Sequence, residues 1–201
     1  MYKFIAREYP KNMIFVIIGA VGFVILFLFD PIALQKIKIL KPFIWLIGNG
    51  LIFISLNRMM FNSPQFIMPK FLKYVGIAMS VTASPLLVYS LLIEIPFKTT
   101  YLDKGAGSKL ITTGTYALVR HPGVLWLILL LIGFFLISGS KTLLVALPIW
   151  IFLDILYIIL QDRYFFIKQF GEAYEKYQKE VPMLIPSSAS IKRCICTFLK
   201  K

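Results

Sequence analysis

Five apolar runs dominate the pattern of hydrophobic and polar positions along the chain. An α-helix crosses the hydrocarbon core of a bilayer with about 20 mostly apolar residues, and each run is close to that length. We therefore predict five transmembrane helices, at Met13–Phe29, Leu40–Leu56, Tyr74–Phe97, Gly123–Ser138 and Thr142–Gln161. The composition agrees, because 59% of the 201 residues are hydrophobic and only 15% are charged. The fold class predicted from this pattern is an all-α, polytopic membrane protein.

The fourth and fifth apolar runs are separated only by Gly139, Ser140 and Lys141. So short a connection joins antiparallel neighbours. We therefore expect the chain before Pro122 and the chain after Gln161 to lie on the same side of the membrane.

A helix with an aromatic face is predicted from Asp162 to Glu180. Aromatic side chains recur there at the spacing of one helical face, at Phe166, Phe170, Tyr174 and Tyr177. Two prolines follow and make Val181–Pro186 extended. This C-terminal amphipathic helix is expected at the membrane interface, where it can also roof a pocket.

The basic residues predict an orientation and exclude one class of partner. The net charge is +13, and most of the 22 Lys and Arg residues fall on the side of the membrane that holds Arg120, His121 and the C-terminus. The positive-inside rule makes that side cytoplasmic. The lysines form no stripe with interleaved aromatic residues, so anionic lipids are the expected partner and nucleic acid is not. Cys194 and Cys196 lack further ligands at metal-site spacing, so no metal is expected.

The most distinctive polar cluster is Arg120, His121 and Pro122, directly before the fourth apolar run. Arg offers a planar fork of donors that suits a carboxylate or phosphate, and His can donate or accept near neutral pH. Gly105, Gly107 and Gly114 lie in the loop before this cluster, and we interpret that loop as an ordinary flexible connection. The cluster itself predicts a site for a polar ligand at the edge of the bilayer.

Two acids, Glu94 and Asp154, lie inside predicted membrane helices. A charge there costs about 2.5–3.5 kcal/mol, so each side chain must face the protein interior, pair or be protonated. A structural role in a hydrogen-bonded network is the commoner outcome for both. Asp162, at the end of the fifth run, is instead favoured as functional. One helical face is predicted to lead from mid-membrane toward this end, formed by Asp154, Ile158, Gln161 and Asp162.

Residues Leu110 to Pro186 resemble the integral-membrane methyltransferases related to isoprenylcysteine carboxyl methyltransferase and the phospholipid methyltransferases. The first signature is Gly114–Pro122, which precedes a helical hairpin. The second is an acidic residue, Asp162, eight residues before Phe170–Tyr177, with Val181–Pro186 closing the segment. One departure is that Asp162 and Arg163 stand where the family usually has paired glutamates.

The resemblance implies an S-adenosylmethionine-dependent methyltransferase whose lipophilic or lipid-linked acceptor enters from the bilayer. It implies catalytic roles for Arg120, His121 and Asp162, and a cofactor site formed by these three with Tyr116 and Pro122. Arg120 would hold the methionine carboxylate, and Asp162 a cationic or hydroxyl group. The expected division is a transmembrane scaffold (1–97), a catalytic part (98–186) and a basic tail (187–201). The short loops and the absence of a processing signal favour a prokaryotic plasma membrane, with the active site facing the cytoplasm.

Two other functions fit parts of the pattern. Membrane sterol-type reductases that use NADPH have a similar aromatic helix and Val-Pro segment, although their motif continues differently after Arg-His-Pro. A non-enzymatic membrane subunit would use the basic cluster only to anchor lipid headgroups. Cofactor binding separates these alternatives from methyl transfer.

Overall fold

The computed structural model describes residues 2–35, 39–96, 100–101 and 109–199, with side chains from residue 12 onward. Gly105, Gly107 and the predicted end of the third helix at Phe97 lie outside the described residues. The described α-helices are α1 (Tyr2–Leu26), α2 (Phe29–Leu34), α3 (Leu40–Asn62), α4 (Lys70–Val88), α5 (Thr115–Leu118), α6 (Pro122–Ser138), α7 (Lys141–Leu160), α8 (Phe166–Phe170), α9 (Glu172–Glu180) and α10 (Ser188–Leu199). π-Helical turns extend α4 over Tyr89–Glu94 and α7 over Gln161–Phe165.

All five predicted membrane runs are helical, which confirms the fold class. Among the described residues, four helical stretches are long and apolar enough to span a bilayer: Asn12–Leu34, Leu40–Asn62, Lys70–Glu94 and Lys141–Phe170. The helix Pro122–Ser138 is apolar but shorter. Several bounds differ from the prediction; for example, α3 continues to Asn62 and helical structure passes beyond Asp30 and Pro31. Pro31 is tolerated because it lies in the first turn of α2, where a missing N–H breaks no helical hydrogen bond.

The hairpin between α6 and α7 has the predicted tight turn. Gly139 ends α6 with a φ of 64°, a left-handed conformation that favours glycine. Ser140 then caps α7 by accepting a hydrogen bond from the Leu143 N–H at 3.1 Å. The Phe66 N–H donates to the Gly139 carbonyl at 2.7 Å, so the turns α3–α4 and α6–α7 lie at the same end of the bundle. The start of α6 and the end of α7 therefore meet at the opposite end.

The helix with an aromatic face is interrupted, so the prediction of one helix from Asp162 to Glu180 is wrong. Gly171 separates α8 from α9 with φ 57° and ψ −137°, a conformation open to glycine and strained for other residues. Sequence periodicity does not detect this break, because the aromatic spacing continues across it. The basic tail also contains the amphipathic helix α10, where the Gly114 N–H donates to Thr197 Oγ1 at 2.9 Å.

The buried core joins α1, α3, α6 and α7 around Trp150. The Trp150 indole N–H donates to the Val16 carbonyl at 3.0 Å, and its ring lies where a Cβ on Gly19 would stand. Helices α4 and α6 approach closely through Gly76 and Gly133, because each glycine faces the backbone of the other. Small residues allow this close backbone packing between membrane helices.

We predict that Gly133→Ala destabilises the bundle, whereas Gly50→Ala does not. A Cβ on Gly133 would lie 2.5 Å from Ser80 Oγ and 2.9 Å from the Gly76 carbonyl, so α4 and α6 must separate. Such overpacking typically costs about 1–3 kcal/mol. A Cβ on Gly50 meets no heavy atom within 4 Å. Reversible unfolding in mixed micelles measures both variants, and equal losses of stability would contradict the assigned α4–α6 contact.

Candidate active site

Asp162 lies at the centre of the polar end of the bundle and joins three donors from distant parts of the chain. Its carboxylate accepts hydrogen bonds from Arg120 Nη2 and from the Tyr174 hydroxyl. Its Oδ1 lies 2.8 Å from His121 Nε2. We call these four residues the Asp162 cluster. The side chain of Asp162 is only 6% exposed, so the donors replace water around a buried charge.

Arg120 binds the C-terminal segment as well as Asp162. Its Nη1 donates to the carbonyls of Gln178 and Val181 at 3.0 and 2.8 Å. These carbonyls lie at the C-terminal end of α9, where the last helical carbonyls lack partners and a cation is favourable. The Nε–H of Arg120 is buried without a hydrogen-bond partner among the described residues. This N–H is therefore a candidate donor to a ligand.

His121 is held at both its backbone and its ring. Its N–H donates to the Met183 carbonyl at 3.2 Å, and the Arg120 N–H donates to the Pro182 carbonyl at 2.9 Å. The imidazole stacks on Phe166, with ring centroids 6.0 Å apart and planes 15° from parallel. A carboxylate only accepts hydrogen bonds, so the Nε2 facing Asp162 carries a hydrogen. In the neutral ring, Nδ1 is then the proton acceptor.

The segment predicted as extended, Val181–Pro186, is non-helical and starts in an extended conformation, but it bends at residues 183–185. Val181 has φ −123° and ψ 128°, which ends α9 in an extended conformation. This lets the carbonyls of Pro182 and Met183 face the backbone N–H groups of Arg120 and His121. The two signatures of the sequence thus pair through backbone hydrogen bonds as well as through Asp162.

Two tyrosines fix the short helix α5 against its surroundings. The Tyr177 hydroxyl donates to the Tyr116 carbonyl at 2.6 Å, and the Tyr116 hydroxyl donates to the Ser90 carbonyl at 3.2 Å. Burial raises the pKa of both phenols well above the usual value near 10. Both therefore remain protonated and act as donors at physiological pH.

Glu94 has the structural role expected from the sequence. Its carboxylate accepts hydrogen bonds from the Thr115 N–H at 3.0 and 3.1 Å and from the Thr115 hydroxyl. It thereby binds the N-terminus of α5. Gly114 precedes Thr115, and a Cβ there would lie 1.6 Å from Glu94 Oε1. Gly114 also has a φ of 60°, so this turn requires glycine.

A cavity of about 340 Å³ extends from the Asp162 cluster into the bundle. Arg120, His121 and Tyr174 lie in its wall at the polar end. Apolar side chains line its membrane part, including Phe23, Ile52, Leu91 and Leu127. The size falls within the range of about 300–1,000 Å³ typical of small-molecule sites. The cavity therefore combines a polar end with a largely apolar membrane part.

The structure places most predicted site residues around this cavity. Tyr116, Arg120, His121 and Pro122 line it directly, as do Asp154, Ile158 and Gln161 of the predicted α7 face. Within the described chain, Asp162 is not part of the lining, because it lies behind Arg120, His121 and Tyr174. Its contacts indicate that it positions the lining side chains.

Asp30 and Tyr157 are among the lining residues that the sequence did not indicate. The Asp30 carboxylate accepts hydrogen bonds from the Tyr157 hydroxyl at 2.6 Å and from Gln161 Nε2 at 2.8 Å. In the sequence, Asp30 followed by proline looks like the end of a membrane run. An acid at the end of an apolar run does not by itself show whether its side chain faces the cavity or the solvent.

The region that contains most of this arrangement matches a known protein family. The family model "Phospholipid methyltransferase" matches residues 71–173, half of the chain. This protein belongs to the phospholipid methyltransferase family. The family region runs from α4 to the start of α9 and contains Arg120, His121 and Asp162. The resemblance inferred from the sequence is therefore confirmed, and Asp30 and Tyr174 lie outside the matched region.

A curated protein shares part of this family region. Protein-S-isoprenylcysteine O-methyltransferase of Schizosaccharomyces pombe is 35% identical over 79 residues. The match covers 38% of this chain and 33% of the yeast protein, so the chain matches about a third of that relative's length. No solved structure matches the chain.

We predict that Tyr174→Phe destabilises this family member, whereas Tyr164→Phe has little effect. The first change removes a buried donor to the Asp162 carboxylate, and a hydrogen bond to a charged group contributes about 1.5–3 kcal/mol. The second changes a nearby side chain that is 63% exposed. Thermal unfolding in detergent provides the comparison. A loss that is no greater for Tyr174→Phe would show that this hydroxyl does not support Asp162.

Proposed function

We propose that this protein is a membrane-embedded methyltransferase that uses S-adenosylmethionine and acts on a small lipophilic or lipid-linked acceptor. The observation that carries the proposal is the Asp162 cluster, which brings both family signatures to one end of one cavity. Family membership supports methyl transfer as the reaction. The apolar interior of the cavity supports a lipophilic acceptor.

The side chains at the polar end suit S-adenosylmethionine. The unpartnered Nε–H of Arg120 offers a donor to the methionine carboxylate. Phe166, Phe170 and Tyr174 line the same end of the cavity and form a ring cluster, with adjacent centroids 5.2–6.4 Å apart. Aromatic faces pack against a purine and attract a cation such as a sulfonium. The residues present therefore fit this cofactor.

When bound, S-adenosylmethionine supplies an electrophilic methyl group on a positively charged sulfur. The residues of this chain must then align the acceptor and exclude water, which are the main requirements of such a displacement. Helix α9 contributes to this exclusion, because Tyr174 and Tyr177 close the polar end. Asp162 acts as a positioning residue that fixes the lining side chains Arg120 and His121.

His121 is the candidate general base. With Nε2 engaged by Asp162, Nδ1 of the neutral ring can accept a proton from a thiol, phenol or amine acceptor. A carboxylate acceptor would need no deprotonation. The role of His121 in proton transfer therefore depends on the class of acceptor, whereas its role in the wall of the cavity does not.

The orientation and the lipid partners belong to the proposal as well. The excess of basic residues on the side of the Asp162 cluster supports a site that faces the cytoplasm. The short loops favour a prokaryotic plasma membrane. Helix α10 carries Lys192 and Arg193 beside the exposed apolar side chains Ile191 and Ile195. This combination suits an interface of anionic lipids.

We predict that S-adenosylhomocysteine binds the detergent-purified protein and that His121→Ala and Arg120→Ala abolish this binding. Both substitutions remove side chains from the wall of the proposed cofactor site. Isothermal titration calorimetry measures binding, and circular dichroism checks that each variant remains folded. The matched control is Arg163→Ala, which changes an exposed arginine next to Asp162 in the sequence. Binding of NADPH in place of S-adenosylhomocysteine would instead support a reductase.

We predict that Asp162→Asn lowers the turnover number far more than Asp154→Asn. Asp162 holds Arg120 and His121 in place, whereas Asp154 forms no ion pair with either residue within the described chain. The assay measures transfer of labelled methyl from S-adenosylmethionine into a host lipid extract at saturating acceptor, followed by identification of the labelled lipid. Equal turnover numbers for the two variants would show that the reaction centre is elsewhere in the cavity.

A further inference from the structure

Asp154 is a buried carboxylate that the Asp162 cluster does not use. Its residue is only 8% exposed, and it lies on α7 in the wall of the cavity. Its Oδ2 has no hydrogen-bond partner within the described part of the chain. Burying a carboxylate without a donor costs free energy, so packing alone does not account for this side chain.

Asp30, a second acid in the wall of the same cavity, has the hydrogen bonds of a structural carboxylate. Asp30 is 6% exposed, close to the value for Asp154. However, its Oδ2 accepts hydrogen bonds from Tyr157 and Gln161 at 2.6 and 2.8 Å. The two acids therefore share the cavity and the degree of burial, and they differ in hydrogen bonding.

The position of Asp154 separates it from the proposed reaction centre. It precedes Asp162 by eight residues of the continuous helix formed by α7 and its π-helical extension, which corresponds to roughly 12 Å along an α-helix axis. Apolar side chains make up much of the cavity wall and include Ile52 and Leu127. Asp154 thus provides a hydrogen-bond acceptor in the membrane part of a largely apolar cavity.

We infer that Asp154 binds an N–H or O–H group on the acceptor, at a distance from the atom that is methylated. This inference rests on the proposed function and narrows its acceptor class. An acceptor that fits has an apolar body with a second donor, an amine or a hydroxyl, that reaches into the membrane part of the cavity. A carboxylate at that position is disfavoured, because two like charges would then be buried together.

The first test compares Asp154→Leu with the matched variant Asp30→Leu. Asp154→Leu removes a buried carboxylate oxygen that lacks a partner, so the unfolding temperature of the ligand-free protein stays the same or rises. Asp30→Leu leaves the Tyr157 hydroxyl and the Gln161 amide without their acceptor, so the unfolding temperature falls. A fall of similar size in Asp154→Leu would assign Asp154 a structural role and overturn the inference.

The second test measures ligand binding with hexylamine, hexanol and hexanoate as probes of the cavity. We expect the wild type to bind hexylamine and hexanol more tightly than hexanoate, and Asp154→Leu to lose this preference by about tenfold. Asp154→Asn retains a carbonyl oxygen but no negative charge, so we expect it to keep affinity for hexanol and to lose affinity for hexylamine. The inference would be overturned if Asp154→Leu bound each of the three probes with the same affinity as the wild type.

Binding of S-adenosylhomocysteine distinguishes this inference from the proposed function. We expect Asp154→Leu to bind it with wild-type affinity, because Asp154 lies away from the proposed cofactor site. Failure of the wild type to bind S-adenosylhomocysteine would count against the proposed function. Loss of that binding only in Asp154→Leu would place Asp154 in the cofactor site and overturn its assignment to the acceptor.

Discussion

The buried charge of Asp162 is the constraint on which the polar end of the molecule depends. A carboxylate removed from water must receive hydrogen bonds, and here the donors come from Arg120, His121 and Tyr174. Removing one partner of such a buried pair typically costs about 3–5 kcal/mol, because the remaining charge has no solvent. The three donors therefore have little freedom to move apart. The same requirement that stabilises the fold also fixes the side chains that line the cavity.

This constraint explains why the helical hairpin and the C-terminal segment fold against each other. The tight turn at Gly139 returns Asp162 to the end of the bundle that holds Arg120. Arg120 then binds carbonyls at the end of α9, and the extended chain beyond Val181 pairs with the backbone of the Arg-His segment. Charge compensation, helix capping and backbone pairing thus converge on one arginine. An isolated hairpin would leave most of these groups unsatisfied.

The two acids of the cavity show that burial alone does not identify a functional group. Asp30 and Asp154 are buried to a similar degree, but Asp30 has side-chain donors, whereas Oδ2 of Asp154 has no partner among the described residues. A satisfied acid contributes to the packing of α2 against α7. An acid with an unpartnered oxygen makes the ligand-free protein less stable than it could be, which is a common feature of binding sites.

The sequence by itself determined the membrane helices, the tight hairpin and the meeting of Arg120 and His121 with Asp162. These features follow from the length of apolar runs and from a connection too short to cross the bilayer again. Only the tertiary structure decided that Asp162 lies behind the cavity wall and that Gly171 breaks the aromatic helix. It also decided that Asp30 accepts the hydrogen bond of the Tyr157 hydroxyl. The reason is physical, because hydrophobic periodicity is a local property. Which donor meets which acceptor depends on how each helix is rotated against its neighbours, and that rotation is fixed by packing across the whole bundle.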